Sequence, residues 1–293
     1  MLSVIITSYK EPKTIVKSIS CFLNQKIKEK FEIIVICGDK ETFDVAKKQF
    51  KEPNVFIYRD KAKGKSVALN LAFKKAKGDI LVLSDGDVHV SSDSLKNLKR
   101  HFVDKKVGAV CGHPVSVDSR DSMMGFWSHF LTDMADQIRL ERVKSSEFIV
   151  VSGYLFAMRK DLIDELPESL LSEDAYISHI LWEKDYKISY ATDAIVHIKY
   201  PTTIKDWMNQ KIRSTGGYLE IRKMVKNKKK MRSFSHETKK VLEPFKYSKN
   251  LKELFYSISL IFFRIILWLT IFYKVGILKK THKELWVRVG STK

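Results

Sequence analysis

The sequence predicts an α/β fold, a mostly parallel sheet flanked by helices, followed by a C-terminal helical segment that attaches to a membrane. Three features carry that reading. Short apolar, β-branched runs alternate with stretches of helical spacing through the first 198 residues, the positive charge gathers behind them, and a long apolar run lies inside that basic region.

Leu2–Thr7 is apolar and β-branched, Pro12–Gln25 has helical spacing, and Glu32–Cys37 is a second apolar run, so the chain opens as strand, helix, strand. Val55–Tyr58 reads as a third strand. A helix from Ser66 to Ala76 ends at Gly78, and Ile80–Leu83 is a short strand stopped by Ser84-Asp85-Gly86-Asp87. Apolar runs follow at Val107–Cys111, Phe148–Ser152 and Tyr154–Met158, then a helix over Glu173–Glu183 and a strand at Ile195–Ile198. Strands separated by helical crossovers pair in parallel, because each crossover returns the chain to the same end of the sheet. The expected organisation is a folded domain over 1–200, a basic helical segment over 201–250, an apolar helix over 251–280 and a basic tail over 281–293.

The 293 residues are 44 % hydrophobic, enough for a core and too many for a disordered chain. The net charge of +19 is one-sided: residues 199–293 hold 23 Lys and Arg against 6 Asp and Glu, while residues 1–198 hold 30 against 28. This basic region surrounds an apolar helix and contains no nucleic-acid-binding motif, so a membrane surface is the expected partner and nucleic acid is not. Leu254–Leu278 is long enough for a bilayer core of ~30 Å, but Arg264 in its middle opposes insertion by roughly 2.5–3.5 kcal/mol, which leaves both a spanning and an interfacial helix open. Cys21, Cys37 and Cys111 show no CxxC spacing and are odd in number, which points to a reducing compartment. The N-terminus reads as a buried strand and not as a cleaved leader.

Asp85-Gly86-Asp87 follows an apolar strand, where loops at the carboxyl ends of parallel strands gather ligands, and two carboxylates one residue apart can turn toward a single hard cation. A solvated acidic turn is the competing reading. Gly64-Lys65-Ser66 suggests a P-loop, but Arg59 stands where that motif needs glycine; what remains is a Lys-rich loop suited to an anionic ligand. Asp174 sits in Ser172-Glu173-Asp174, which reads equally as a helix start favoured by the dipole.

Taken in order, Thr7-Ser8-Tyr9-Lys10-Glu11-Pro12, Gly38-Asp39, GKSVALNLAFKKAKGDILVLSDGDVHV, VVSGYLFAMRKDL, SEDAYISHILWEKDYKISY and Gln210-Lys211-Ile212-Arg213 resemble the family 2 glycosyltransferases of GT-A fold over residues 1–217. The resemblance implies an inverting enzyme that uses Mn²⁺ or Mg²⁺ to move sugar from a nucleotide-sugar donor, UDP-linked first. The implied acceptor is a hydroxyl of a lipid-linked or cell-surface glycan at the cytoplasmic face of the cell membrane. It places Thr7, Tyr9, Glu11, Gln210 and Arg213 around the donor, Asp39 near the nucleobase and Lys65 near the phosphates or base. It puts Asp85 at ribose and metal, Asp87 on the metal with His197 as an additional ligand, and Asp174 as the general base. Two departures stand out. Cys37-Gly38-Asp39-Lys40 lacks the paired acids and Gly-Ser usual after the second strand, and Ser214 replaces the tryptophan of the QxxRW element, which speaks against processive synthesis. Transfer onto a polyprenyl phosphate, which needs no strong base, remains the closest alternative. A fold retained without turnover and a nucleic-acid-binding role are remote ones.

Overall fold

The computed structural model describes residues 1–168, 170–226, 229, 240–278, 284, 287 and 289–292; most of the basic cluster at 226–232 and of the tail at 281–293 lies outside them. In chain order the elements are β1 (Leu2–Ser8), α1 (Ile15–Leu23), β2 (Phe31–Cys37), α2 (Lys40–Gln49), β3 (Val55–Arg59), α3 (Lys65–Lys75), β4 (Ile80–Asp85), β5 (His89–Val90) and α4 (Ser94–Lys99). They continue with β6 (Val107–Ser116), α5 (Met123–Lys144), β7 (Leu155–Arg159), α6 (Glu173–Glu183), β8 (Lys187–Ile198) and α7 (Ile204–Met224). Two further helices follow, α8 (Glu243–Tyr247) and α9 (Leu251–Ile271).

The strands form one sheet in the order β3-β2-β1-β4-β7-β6-β8-β5. The β3-β2-β1-β4 half is parallel throughout, as the alternation of strands and helices requires. β7 then runs against both β4 and β6, β8 is parallel to β6, and the two-residue β5 closes the edge antiparallel to β8. Side-chain alternation splits the core between the two faces. Val4 and Ile6 pack with Ile19, Phe22, Phe126 and Trp127 on one side, while Ile5 packs with Leu69, Phe73, Ile177 and Leu181 on the other.

α2, α4 and β5 were not expected and β8 starts eight residues early, at Lys187, but three other differences bear more on the site. The strand before the acidic turn runs on through Ser84 and Asp85, so that Thr7 lies opposite Asp85. Phe148–Ser152 is a buried loop and not a strand: Val151 N donates to Ser178 Oγ at 3.0 Å and Ser152 N to Cys111 Sγ at 3.1 Å, so side chains satisfy its amides in place of a ladder. The 22-residue α5 has no counterpart in the periodicity, because its buried positions crowd the first half, Gly125 to Thr132, and then thin to Arg139.

α9 docks on α5 and α7 through one face. Arg120 makes a two-pronged ion pair with Glu253, 2.6 Å from Nε to Oε1 and 3.0 Å from Nη2 to Oε2, with its guanidinium 4.3 Å above the Tyr247 ring. Trp127 Nε1 donates to Tyr256 O at 2.8 Å, and the Trp127 ring contacts both Trp207 and Phe263. Trp207 is therefore core and fully buried. The opposite face of α9 exposes Leu254, Phe255, Ile258, Phe262, Ile265 and Leu269.

Candidate active site

The carboxyl ends of β1, β2 and β4 meet at one edge, and each contributes a loop. Gly86 N donates to Thr7 O, drawing the turn after β4 onto β1. A Cβ on Gly86 would stand 2.5 Å from Ser8 Oγ and 2.6 Å from Glu11 Oε2, so only glycine fits. Glu11 is buried behind that turn, accepting from Ser8 Oγ at 2.7 Å while its own amide donates to Thr42 Oγ1 at 2.8 Å. Asp39 ties the two neighbouring loops together: Oδ1 caps α2 through Thr42 N at 2.9 Å, and Oδ2 accepts from Lys10 N at 2.5 Å. Tyr9 packs over Gly38, where a Cβ would come within 2.9 Å of Cδ2.

Lys65 opens α3 directly after Gly64, whose φ of +124° is a glycine conformation. Its ammonium lies 2.5 Å from Asp85 Oδ1, with Thr7 Oγ1 on the same oxygen at 3.5 Å. Burial opposes the Lys65 charge, but Asp85, Glu173 and Asp174 outweigh it and hold its pKa above the ordinary lysine value. The Asp87 carboxyl is pushed up to about 7, first by burial and then by the Asp85 charge, against the pull of Lys65 and Arg213. Tyr154 stands in the same field, its hydroxyl pushed well up by burial and then by Tyr200, Asp87 and Asp85.

α6 starts beside this cluster. Glu173 accepts from Ser66 Oγ at 3.4 Å, and burial raises its pKa. Ser172 occupies the N-cap position but donates its hydroxyl to Asp174 Oδ1 at 2.5 Å, and Ala175 N donates to the same oxygen at 2.9 Å. Oδ2 of Asp174 faces Gly153, where a Cβ would sit at 3.5 Å.

α7 presents one face to this region. Gly217 abuts Leu171 and Ser172, immediately before the two acids of α6, and Arg213 and Gln210 lie one and two turns earlier on that face. Gln210 Oε1 is buried with no hydrogen-bond partner among the described residues. His197 pairs in register with His89, two residues past Asp87; His89 Nε2 is likewise buried without a partner among the described residues. The fold thus brings Thr7, Lys65, Asp85, Asp87, Asp174 and Arg213 into one electrostatic neighbourhood, with Asp39 and Tyr9 toward β2 and His197 at the β5 edge. Sequence reasoning missed Tyr154, which lay inside an apolar run.

The α/β sheet with helices on its two faces is of the GT-A class. The chain belongs to the Glycosyl transferase family 2, whose family model matches residues 3–167. The poly-beta-1,6-N-acetyl-D-glucosamine synthase of Staphylococcus aureus (strain COL) is 25 % identical over 227 residues, and that of Staphylococcus epidermidis 24 % over 230 residues. Each match covers 75 % of this chain and 55 % of the relative, so the chain spans about half the length of those synthases. Among solved structures, the mannosyltransferase PcManGT from Pyrobaculum calidifontis, in complex with GDP-Man and Mn²⁺, superposes with a TM-score of 0.65 at 20 % identity, covering 78 % of this chain and 65 % of that one. S. aureus TarS superposes with a TM-score of 0.52 at 16 % identity, over 86 % and 46 % of the two chains.

Proposed function

We propose that the protein is an inverting, metal-dependent transferase that moves a sugar from a nucleotide-sugar donor onto a hydroxyl of a lipid-linked or cell-surface glycan at the cytoplasmic membrane face. The observation that carries this reading is the meeting of Asp85, Asp87, Lys65 and Arg213 at one sheet edge, with Asp174 on the flank of the same cluster.

Two crowded carboxylates, one of them with its carboxyl raised to about 7, form an oxygen-only set that a divalent cation relieves, which suits Mn²⁺ or Mg²⁺. When bound there, the cation stabilises charge on the departing diphosphate. The Mn²⁺ and GDP-Man of PcManGT support a metal and a nucleotide sugar, and the N-acetylglucosamine polymer of the staphylococcal relatives supports a hexosamine donor, for which UDP is the first carrier to try. Lys65 and Arg213 face the phosphates with positive charge, with Gln210 beside them. Thr7, Tyr9, Glu11 and Asp39 shape the base-side loops, Glu11 and Asp39 through the hydrogen bonds they make within them. Asp174, oriented by Ser172 and Ala175 N, takes the proton of the attacking hydroxyl. His197→Ala tests whether β8 adds a further metal ligand.

The half-buried, half-exposed α9 supports attachment in the plane of the membrane: its inner face is held by the Arg120–Glu253 pair, which leaves the apolar outer face for lipid and the basic flanks for anionic headgroups. The test is metal-dependent release of nucleotide from a panel of UDP- and GDP-sugars by detergent-solubilised protein, and by Asp87→Ala. Release that EDTA and the substitution both abolish supports the reading; release indifferent to both overturns it. Asp174→Asn separates a hydroxyl acceptor, whose use it abolishes, from a polyprenyl phosphate, whose use it spares.

A further inference from the structure

The second half of α5 carries a group that the proposed mechanism leaves unused. Arg139 is 6 % exposed, and no described residue forms an ion pair or hydrogen bond with it; its Nε is buried without a partner among the described residues. Its guanidinium lies 5.9 Å from the centre of the Tyr190 ring. Other polar groups on this wall are mutually satisfied. Tyr190 donates to Asp136 Oδ1 at 2.5 Å, His113 Nε2 stands 3.6 Å from the same oxygen, and His113 Nδ1 is 2.8 Å from Thr192 O. Asp136 is one turn before Arg139 on the helix yet bonds Tyr190 and leaves the guanidinium alone.

A buried cation with no carboxylate in contact is strongly unfavourable, and a methionine would pack there with less loss. Such a residue is kept for something that arrives. The groups close enough to act on the Arg139 charge are Cys111, Tyr190, Tyr218 and Asp174. Of these Asp174 is the carboxylate, and burial pushes the Cys111 thiol and the Tyr190 hydroxyl up. Asp174 is also among the acids that act on Lys65. The candidate base therefore stands between two cations: Lys65 toward the acidic turn, and Arg139 toward α5, β6 and β8.

We infer that Arg139 is an acceptor subsite, binding a phosphate or carboxylate group that the acceptor glycan carries next to the hydroxyl that reacts. A guanidinium fork pairs with either anion through two parallel hydrogen bonds and is less suited to neutral hydroxyls. The anion enters from the α5 side because Lys65 and Arg213 already serve the other. The inference rests on the proposed transferase reading and adds an acidic class of acceptor to it.

The experiment compares full-length wild type with Arg139→Met and Arg139→Lys in three readouts. Nucleotide release without acceptor reports the donor side and stays within about twofold in both variants. With matched neutral, glycosyl-phosphate and uronate oligosaccharides, wild type favours one of the anionic pair, which identifies phosphate or carboxylate. For that acceptor Arg139→Met raises KM at least about tenfold, the ordinary weight of a charge-assisted contact, and Arg139→Lys falls between. Thermal melting supplies a readout independent of turnover: Arg139→Met melts no lower than wild type, and millimolar glycerol phosphate or glucuronate raises the wild-type midpoint but not that of the variant. The inference is overturned if wild type uses neutral and anionic acceptors alike, if Arg139→Met leaves the acceptor KM unchanged, or if it lowers the melting point and donor release together as a packing residue would. Absence of a melting shift with both glycerol phosphate and glucuronate overturns it even if no donor in the panel is turned over, whereas a shift with no turnover places the failure in the transferase reading.

Discussion

The two halves of the sheet treat their polar groups differently. Around β1, β2 and β4, Ser8, Glu11, Thr42 and Asp39 bond one another and Lys65 bonds Asp85, and the loops that carry them are braced before any ligand arrives. Around β6, β8, α5 and the far end of α7, Arg139 Nε and Glu220 Oε2 are buried with no partner among the described residues. Unsatisfied buried groups are destabilising, so they persist where a ligand completes them. The half we assign to the donor is preorganised by the protein, and the half we assign to the acceptor is completed by its substrate.

That contrast can be broken in several ways. The largest effect is expected from Asp174→Asn, which removes the base and lowers transfer to a hydroxyl by about 100- to 10,000-fold while nucleotide still binds, as equilibrium titration beside turnover would read. Asp87→Ala acts on the braced half and lowers transfer roughly 100- to 1000-fold, with loss of the response to added metal. The same small substitution should then part the halves by stability. Gly86→Ala places a methyl 2.5 Å from Ser8 Oγ and destabilises the fold by about 1–3 kcal/mol, whereas Gly153→Ala, 3.5 Å from Asp174 Oδ2, changes stability by less than about 0.5 kcal/mol in denaturant melts. Equal stability losses would remove the distinction.

The smallest effect concerns α9. Arg120 holds the Glu253 carboxyl below its ordinary pKa, so the pair stabilises docking above the unfolded value of about 4.3 and loses that contribution as pH falls through the folded value. Fluorescence of Trp127, which donates to the α9 backbone, should report release on acidification. Glu253→Gln should flatten that response; an unchanged acid transition would assign it elsewhere.

Much of the parallel half is legible in the sequence because its strands are unbroken apolar runs and its acids fall at the ends of strands. The helix over Glu173–Glu183 matches its expected bounds, since Ser172 and two acids mark its start. What each acid does there is less legible. Glu11 and Asp39 are engaged by partners about thirty residues away, Thr42 for one and Lys10 for the other, a relation that spacing along the chain does not encode. α5 escaped notice because one helix serves two environments, apolar at Phe126 and Trp127 and polar at Asp136 and Arg139, so no single stripe runs its length. The first residues of β8 were hidden for a related reason: Lys187, Thr192 and Asp193 interrupt the apolar pattern.

α5 is also a ruler. Trp127, near its start, lies under α9, and Arg139 is twelve residues further along the same rigid rod, about 18 Å away at 1.5 Å per residue. If α9 rests on lipid, the separation between the lipid contact and Arg139 is set by a helix and not by a flexible tether. Glycans anchored in that bilayer would then be sorted by reach: only one whose anchor spans that fixed separation comes level with the site.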